Sequence, residues 1–490
     1  MYAVNRIAFP AALGCLASFA ALAGPVQQPP GANQTFGDVT HGLRVQSASS
    51  NPAAAAADRA RRQDQSIGGA AVTMAAGLEY GNVQELFDFI DEVARAFAPS
   101  EPGTGGGPGQ TPDQRPDEGI DIGAIIDEID PELRPAIDAV VDELAAQAGL
   151  LAVIASEGYG KAWVSADVPF VWNSNWLGGT WTTGVNWSGA SKAFGLAVPI
   201  EFDVDQALVE LENWVNDTLG ELTGEVALSD QVLLRADPDT RNIIVSLDND
   251  SSLLTKASQL TEISVGYSRE AMSNGSGSLF LGAEAKLYLM RLSRFSARFG
   301  DITDSEELFD AIDNASFNNE EDFGIDVGAL WVGENYQLGI QWTNVNEPEF
   351  RYPDVDVTPY RDPRAIEFFQ RDQVYTMDSQ VKLEGSLFSS DRRWSAHLGY
   401  DVDSAADPFG DEFQWVTLSA AWARDSFWLP NLRAGYRQNL AGTEIGYVSL
   451  GLTAFKYINF DLSSALDTVK IDGTELPQGL MFSMGFQVNW

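Results

Sequence analysis

Ser395 and His397 stand two positions apart, so on an extended strand both side chains point the same way, as a nucleophile and its base would. A hydrolase also needs a polar group to orient the imidazole, and no motif supplies one. His41 and His397 are the two histidines and Cys15 is the one cysteine, which leaves no inventory for a metal centre of the histidine and cysteine kind. The reading is therefore no catalytic residue, no metal, no cofactor and no enzyme activity. Gly105-Gly106-Gly107 lies in a spacer, and Gly158-Tyr159-Gly160-Lys161 lacks both the spacing and the Ser or Thr after lysine that a phosphate loop requires. The acids Asp401, Asp403, Asp407, Asp411 and Glu412 depart from calcium-loop spacing and read as a solvated loop.

Cations are the scarcer charge, 30 Lys and Arg against 70 Asp and Glu, for a net charge of -40. A chain this acidic has no basic patch from which counterion release could drive nucleic-acid binding, so no nucleic-acid partner is expected. Against that background Lys286, Lys382, Arg433 and Arg437, with His397, stand out as groups able to meet the head of an anionic amphiphile. The plainer role, favoured because buried charges are usually paired, is bonding to acids such as Glu384 and Asp401.

Alternation reveals the elements that position these groups. Residues 479–490 place Leu480, Phe482, Met484, Phe486, Val488 and Trp490 on one face and mostly small or polar residues on the other. A tilted membrane-crossing strand takes about 9 to 11 residues, and this one ends on an interfacial aromatic. With Phe482, Phe486, Val488 and Trp490 it resembles the C-terminal assembly signal of Gram-negative outer-membrane barrels. A first strand is expected over 68–80. Further alternation covers 181–187, 194–202, 263–267, 279–287, 325–331, 336–342, 381–387, 394–402, 416–422, 432–436, 448–454 and 458–462. Links such as Gly333-Glu334-Asn335 are short, while 205–250, 300–322 and 343–378 are long and acidic, the asymmetry of an outer-membrane barrel. Because bacterial single-chain barrels have even strand numbers, the expectation is about fourteen. Trp163, Trp172, Trp176, Trp331, Trp394, Trp428 and Trp490 fall near strand ends and suggest interfacial girdles. If the apolar rows face lipid, then Glu284, Lys286, Lys382, Glu384, His397, Asp401, Asp403, Arg433 and Arg437 face inward.

Residues 1–23 read as a secretory signal, with Arg6, an apolar stretch and the small-residue site Ala21-Leu22-Ala23, which makes Gly24 the first mature residue. Cys15 leaves with it; a lipid anchor at Cys15 is the lesser alternative. Past the signal no run of eighteen apolar residues occurs, so helical spans are not expected. Helical spacing returns at 83–97 and 120–154, around a Pro- and Gly-rich spacer at 100–119.

Several stretches together resemble a known family. They are Ser49-Ser50-Asn51-Pro52-Ala53, the segment 81–92, Gly282-Ala283-Glu284-Ala285-Lys286-Leu287-Tyr288, residues 323–330 and Tyr336-Gln337-Leu338-Gly339. They are similar to the plasmid-transfer TraF outer-membrane family, related to FadL-like hydrophobic-compound channels, over most of the mature chain. The resemblance implies that the segment before the first strand plugs the lumen and that Asn51-Pro52-Ala53 forms its turn. On the residues alone, an ordinary surface turn is an equal alternative.

The combined expectation is an all-β transmembrane protein: a monomeric, about 14-stranded antiparallel outer-membrane β-barrel. It comprises a signal at 1–23, a plug at 24–66, and a barrel at 67–490 that carries a mainly helical and flexible insert at 83–155. Its expected partners are outer-membrane lipid and lipopolysaccharide, the barrel-assembly machinery and a hydrophobic small molecule taken up passively. A non-transporting part of a conjugation or surface apparatus is the first alternative, and an outer-membrane hydrolase the second.

Overall fold

Gly68 and Trp490 exchange backbone hydrogen bonds, N to O at 3.1 Å in each direction, and there the first strand meets the last. The computed structural model describes residues 31–41, 45, 50–62, 68–81, 158–174, 178–198, 250–298, 315–371, 373–424, 426–471 and 474–490, with short pieces within 209–247 and at 312. The expected signal and the insert at 83–155 lie outside the described residues, as does Trp176.

The sheet is a closed antiparallel barrel of fourteen strands that pair in sequence order. They are β1 (Gly68–Tyr80), β2 (Tyr159–Ser174), β3 (Gly179–Leu196), β4 (Ser252–Asn274), β5 (Gly277–Arg298), β6 (Phe317–Val332) and β7 (Tyr336–Thr343). After these come β8 (Gln380–Phe388), β9 (Trp394–Asp401), β10 (Trp415–Trp422), β11 (Asn431–Asn439), β12 (Gly446–Ala454), β13 (Ile458–Ala465) and β14 (Gly479–Asn489). No described helix is long and apolar enough to cross a membrane.

The period of two that builds each strand also sorts its side chains. On β14, Leu480, Phe482, Met484 and Phe486 are exposed while Met481, Ser483 and Gln487 are buried. The same alternation exposes Leu338 and Ile340 on β7, Leu383 and Leu387 on β8, and Leu450 and Leu452 on β12. Closure removes the edges that an open sheet would present, and the outward rows form a continuous apolar band.

Strand direction divides the barrel into two ends. At one end lie the termini of the sheet and short turns such as 275–276, 333–335, 389–393 and 455–457. Exposed Trp172, Trp394, Trp428 and Trp490 gather at this turn end, as an aromatic girdle does. Long connections such as 197–251, 344–379 and 402–414 leave the other, loop end. The 344–379 connection includes the helix Pro363–Arg371 and a hairpin of Glu349–Arg351 with Val374–Thr376.

Two sequence readings are corrected. The alternation at 181–187 and the first residues of that at 194–202 belong to one strand, β3, which ends at Leu196, while 199–202 lie outside the described residues; β2, not expected as a strand, pairs with it from Tyr159↔Phe194 to Ser174↔Gly179. Splitting one strand and omitting another offset each other, so the expected number of about fourteen agrees with the barrel. Trp163 is not a girdle residue: it is buried inside the barrel against Phe409, Trp415 and Tyr447.

Candidate functional site

The N-terminal segment runs round the inside of the wall and meets the strands in descending order. Gly31 N donates to Ser483 Oγ on β14 at 2.5 Å, and Gln34 Nε2 donates to Ser463 Oγ on β13 at 2.8 Å. The Thr35 hydroxyl bonds Asp461 on β13, and its carbonyl lies where a side chain at Gly435 of β11 would be. The short helix Asn33–Phe36 ends at Gly37, whose φ of 68° is in the left-handed region; Asp38 follows at φ 61°, a conformation that Asp tolerates better than most residues. This double reversal turns the Asp38 carboxylate to Lys382 Nζ, 2.9 Å away on β8.

Glu384, two residues along β8, gathers the next part of the segment. Its carboxylate accepts Thr40 N at 2.5 Å, Thr40 Oγ1 at 2.9 Å and Asn51 Nδ2 at 3.1 Å. Asn51 Nδ2 also reaches Ile340 O, and Asn51 Oδ1 accepts Ala53 N at 2.9 Å, closing an Asx turn on its own backbone. Asn51 and Ala53 are buried, and Asn51 and Pro52 occupy the space that side chains at Gly328 of β6 and Gly282 of β5 would fill. Ala53 and the helix Ala54–Arg62 that follows it then pack Ala53, Ala54, Ala56 and Ala57 on Phe280 and Leu330, while Ala56 N donates to Ser268 Oγ on β4.

Between this segment and the loop end lies a cavity of ≈ 290 Å³. Lys286, Lys382 and Arg437 line it with the carboxylates of Asp38, Glu262, Asp378, Asp401 and Asp407; Tyr288, Tyr375, Phe413 and Trp415 add ring surface. Each of the three cations is engaged. Lys286 lies 3.3 Å from Glu262 and 3.1 Å from Asp326, Lys382 bridges Asp38 and Asp401, and the Arg437 guanidinium lies 4.1 Å from the centre of the Trp415 ring. Burial, with nearby Asp407 and Asp378, pushes the Tyr375 hydroxyl well above its ordinary range.

The other two sequence candidates lie elsewhere. Arg433 is buried in the wall, with Nε 2.8 Å from Asp461 Oδ1 and Nη1 2.9 Å from Thr453 Oγ1. His397 is buried between two serines, Nε2 2.9 Å from Ser395 Oγ and Nδ1 2.8 Å from Ser386 Oγ. Phe36 of the N-terminal segment covers it edge-on at 5.1 Å. The Ser395–His397 contact is real, but a second serine holds the nitrogen that an orienting carboxylate would need, so the geometry is that of a wall contact.

The loop 402–414 corrects the reading of Asp407 and Asp411 as solvated, while Asp403 and Glu412 are exposed as that reading expects. Asp403 is exposed and belongs to this loop rather than to an inward strand row. Asp407 is buried, 2.5 Å from Lys161 Nζ; Asp411 lies 2.7 Å from the same nitrogen and also bonds Lys192. Burial alone would raise the Asp411 carboxyl, but the two ammonium groups outweigh it and hold the group well below the ordinary carboxylate range. Sequence reasoning missed Lys161 and Lys192; the available signal was their place in a chain with few cations.

Compared with known proteins, residues 48–401 match the family described as F plasmid transfer operon, TraF, protein. Among solved structures, a Pseudomonas aeruginosa FadL homologue is 11% identical, with 95% of this chain and 99% of that one covered at a TM-score of 0.42. The Pseudomonas putida toluene transporter TodX is 10% identical over 96% and 98% of the two chains, with a TM-score of 0.36. No curated protein matches.

Proposed function

From the premise that this chain belongs to the F plasmid transfer operon TraF family, and from the geometry of its lumen, we propose a plugged outer-membrane channel that takes up small amphipathic molecules passively. The observation that carries the reading is a cavity of ≈ 290 Å³, lined by both rings and charges, resting directly on an internal segment that separates it from the turn end. With short turns in the periplasm and long loops outside, a solute enters the cavity from the cell exterior. It lays its apolar part on Tyr288 and Tyr375 and exchanges polar contacts with Lys286 or Lys382. It leaves toward the periplasm when the segment shifts. That shift is feasible because Glu384, Lys382 and Ser463 hold the segment through polar contacts that water can replace.

Lipid and lipopolysaccharide contact the apolar outer rows, and the closing strand with Phe482, Phe486, Val488 and Trp490 is what the assembly machinery would read. Uptake of fatty acids and of aromatic hydrocarbons by liposomes holding the full-length protein tests the channel. Rates that exceed empty liposomes, and rise further when 31–62 are deleted, support it.

A non-transporting structural role is the second reading. It is favoured by the engagement of every cation lining the cavity, and uptake equal to empty liposomes would select it.

A further inference from the structure

The loop 402–414 joins neighbouring strands β9 and β10, and nothing in that connection requires it to leave their side of the barrel. In a ring of fourteen, the pair β2 and β3 lies seven strands from the pair β9 and β10 in either direction, which is diametrically opposite. Yet Asp407 and Asp411 bond Lys161 of β2, Asp411 also bonds Lys192 of β3, and Phe409 and Phe413 hold their rings 5.2 and 5.0 Å from the Lys161 ammonium. The same two rings join Trp163, Ala190, Tyr447 and Met481 in one apolar cluster. The loop therefore spans the bore. It is also internally braced: Asp407 Oδ1 accepts Phe409 N and Asp411 N at 2.9 Å, and the Tyr352 hydroxyl of the 344–379 connection donates to Pro408 O. Its underside, through Ala405, Ala406, Asp407 and Phe413, forms part of the cavity lining.

We propose that this loop is a second gate, a charge-latched strap that closes the cavity from the loop end as the N-terminal segment closes it from the turn end. Passage then requires two openings, one at each side of a chamber, and the latch sets which solutes reach the chamber at all. The inference rests on the channel reading but predicts something measurable apart from transport, namely access to the cavity. Lysine side chains buried at the latch keep the strap down because freeing either partner leaves an uncompensated charge in a poorly solvated place.

The test uses a single cysteine at Thr343→Cys, which lines the cavity, in the full-length protein with Cys15 removed with the signal or by substitution. A charged, membrane-impermeant maleimide is added from the loop side. Labelling should be slow with the latch intact and severalfold faster with Asp411→Asn, and faster again to a similar extent with Lys192→Met, which cuts the latch from the wall side. An Asp354→Cys control on the exposed part of the neighbouring connection should label at one rate in all three backgrounds. Equal labelling of Thr343→Cys in all three backgrounds overturns the strap while leaving uptake to judge the channel. Faster labelling without any solute uptake would keep the strap and remove the channel.

Discussion

The two internal closures of this barrel are held by different physics. At the loop end the strap rests on buried ion pairs, Lys161 with Asp407 and Asp411, and Lys192 with Asp411, on the tall early wall where β2 to β5 run 16 to 23 residues. Deeper in the bore the N-terminal segment is spread over eleven strands, β14 to β4, by many separate contacts: neutral bonds to Ser483, Ser463 and Ser268, bonds to the carboxylates of Asp461 and Glu384, the Asp38–Lys382 pair, and close approach to glycines. A latch of few desolvated charges fails all at once when one ion is removed, because its partner is left buried and unpaired. Many modest bonds fail by degrees. In the proposed channel, that difference suits a gate that stays shut and a plug that yields.

The largest expected effect tests the first half of this contrast. Lys161→Met leaves Asp407 without its ammonium partner, and the loss should be about 3–5 kcal/mol, read as a lowered urea midpoint for the folded barrel. A loss under about 1 kcal/mol would mean that water already reaches the latch and that the contrast is false. Gly282→Val next drives a side chain into the Pro52 carbonyl; overpacking of this kind costs up to about 3 kcal/mol. Protease should then cut residues 31–62 while β1 to β14 stay protected. Asn51→Ala removes bonds to Glu384, Ile340 O and Ala53 N, for about 1–2 kcal/mol, and should loosen the same segment without releasing it.

Acid sharpens the comparison further. The folded Asp411 carboxyl lies below its unfolded value of about 3.9, so its contribution is fully present above that pH and is lost only as pH falls below it. The urea midpoint of the folded barrel should accordingly keep the Asp411 contribution from neutral pH to about pH 4 and lose it progressively below that, a loss that Asp411→Asn should abolish. The smallest effect belongs to Glu367→Gln, which breaks an exposed pair with Arg371 on the outer helix and should change neither stability nor access measurably.

How far the sequence could be read depended on what each strand faces. On β7 to β14 one face meets an apolar surround and the other a polar interior, so alternation located nearly every strand and its inward Lys382, Glu384, His397, Arg433 and Arg437. On β2 and β3 the rule weakened: Trp163 and Ala190 are buried under the strap, and their neighbours Ala162 and Ser191, which point to the opposite face, are buried as well. With buried residues at consecutive positions the period of two disappears, and one strand went unread while the next was split. Asp407 and Asp411 looked like solvated acids for a related reason. Their partners lie 246 and 250 residues away, a separation that no local pattern encodes.

The sequence by itself determined a closed sheet with an apolar exterior and a charged interior, since side-chain direction along a strand is a local property of the backbone. Which interior charges meet was decided only by tertiary structure. Ring closure in sequence order sets β2 and β3 opposite β9 and β10, and folding the strap inward brings Lys161 and Asp407 into a place where neither could remain buried without the other.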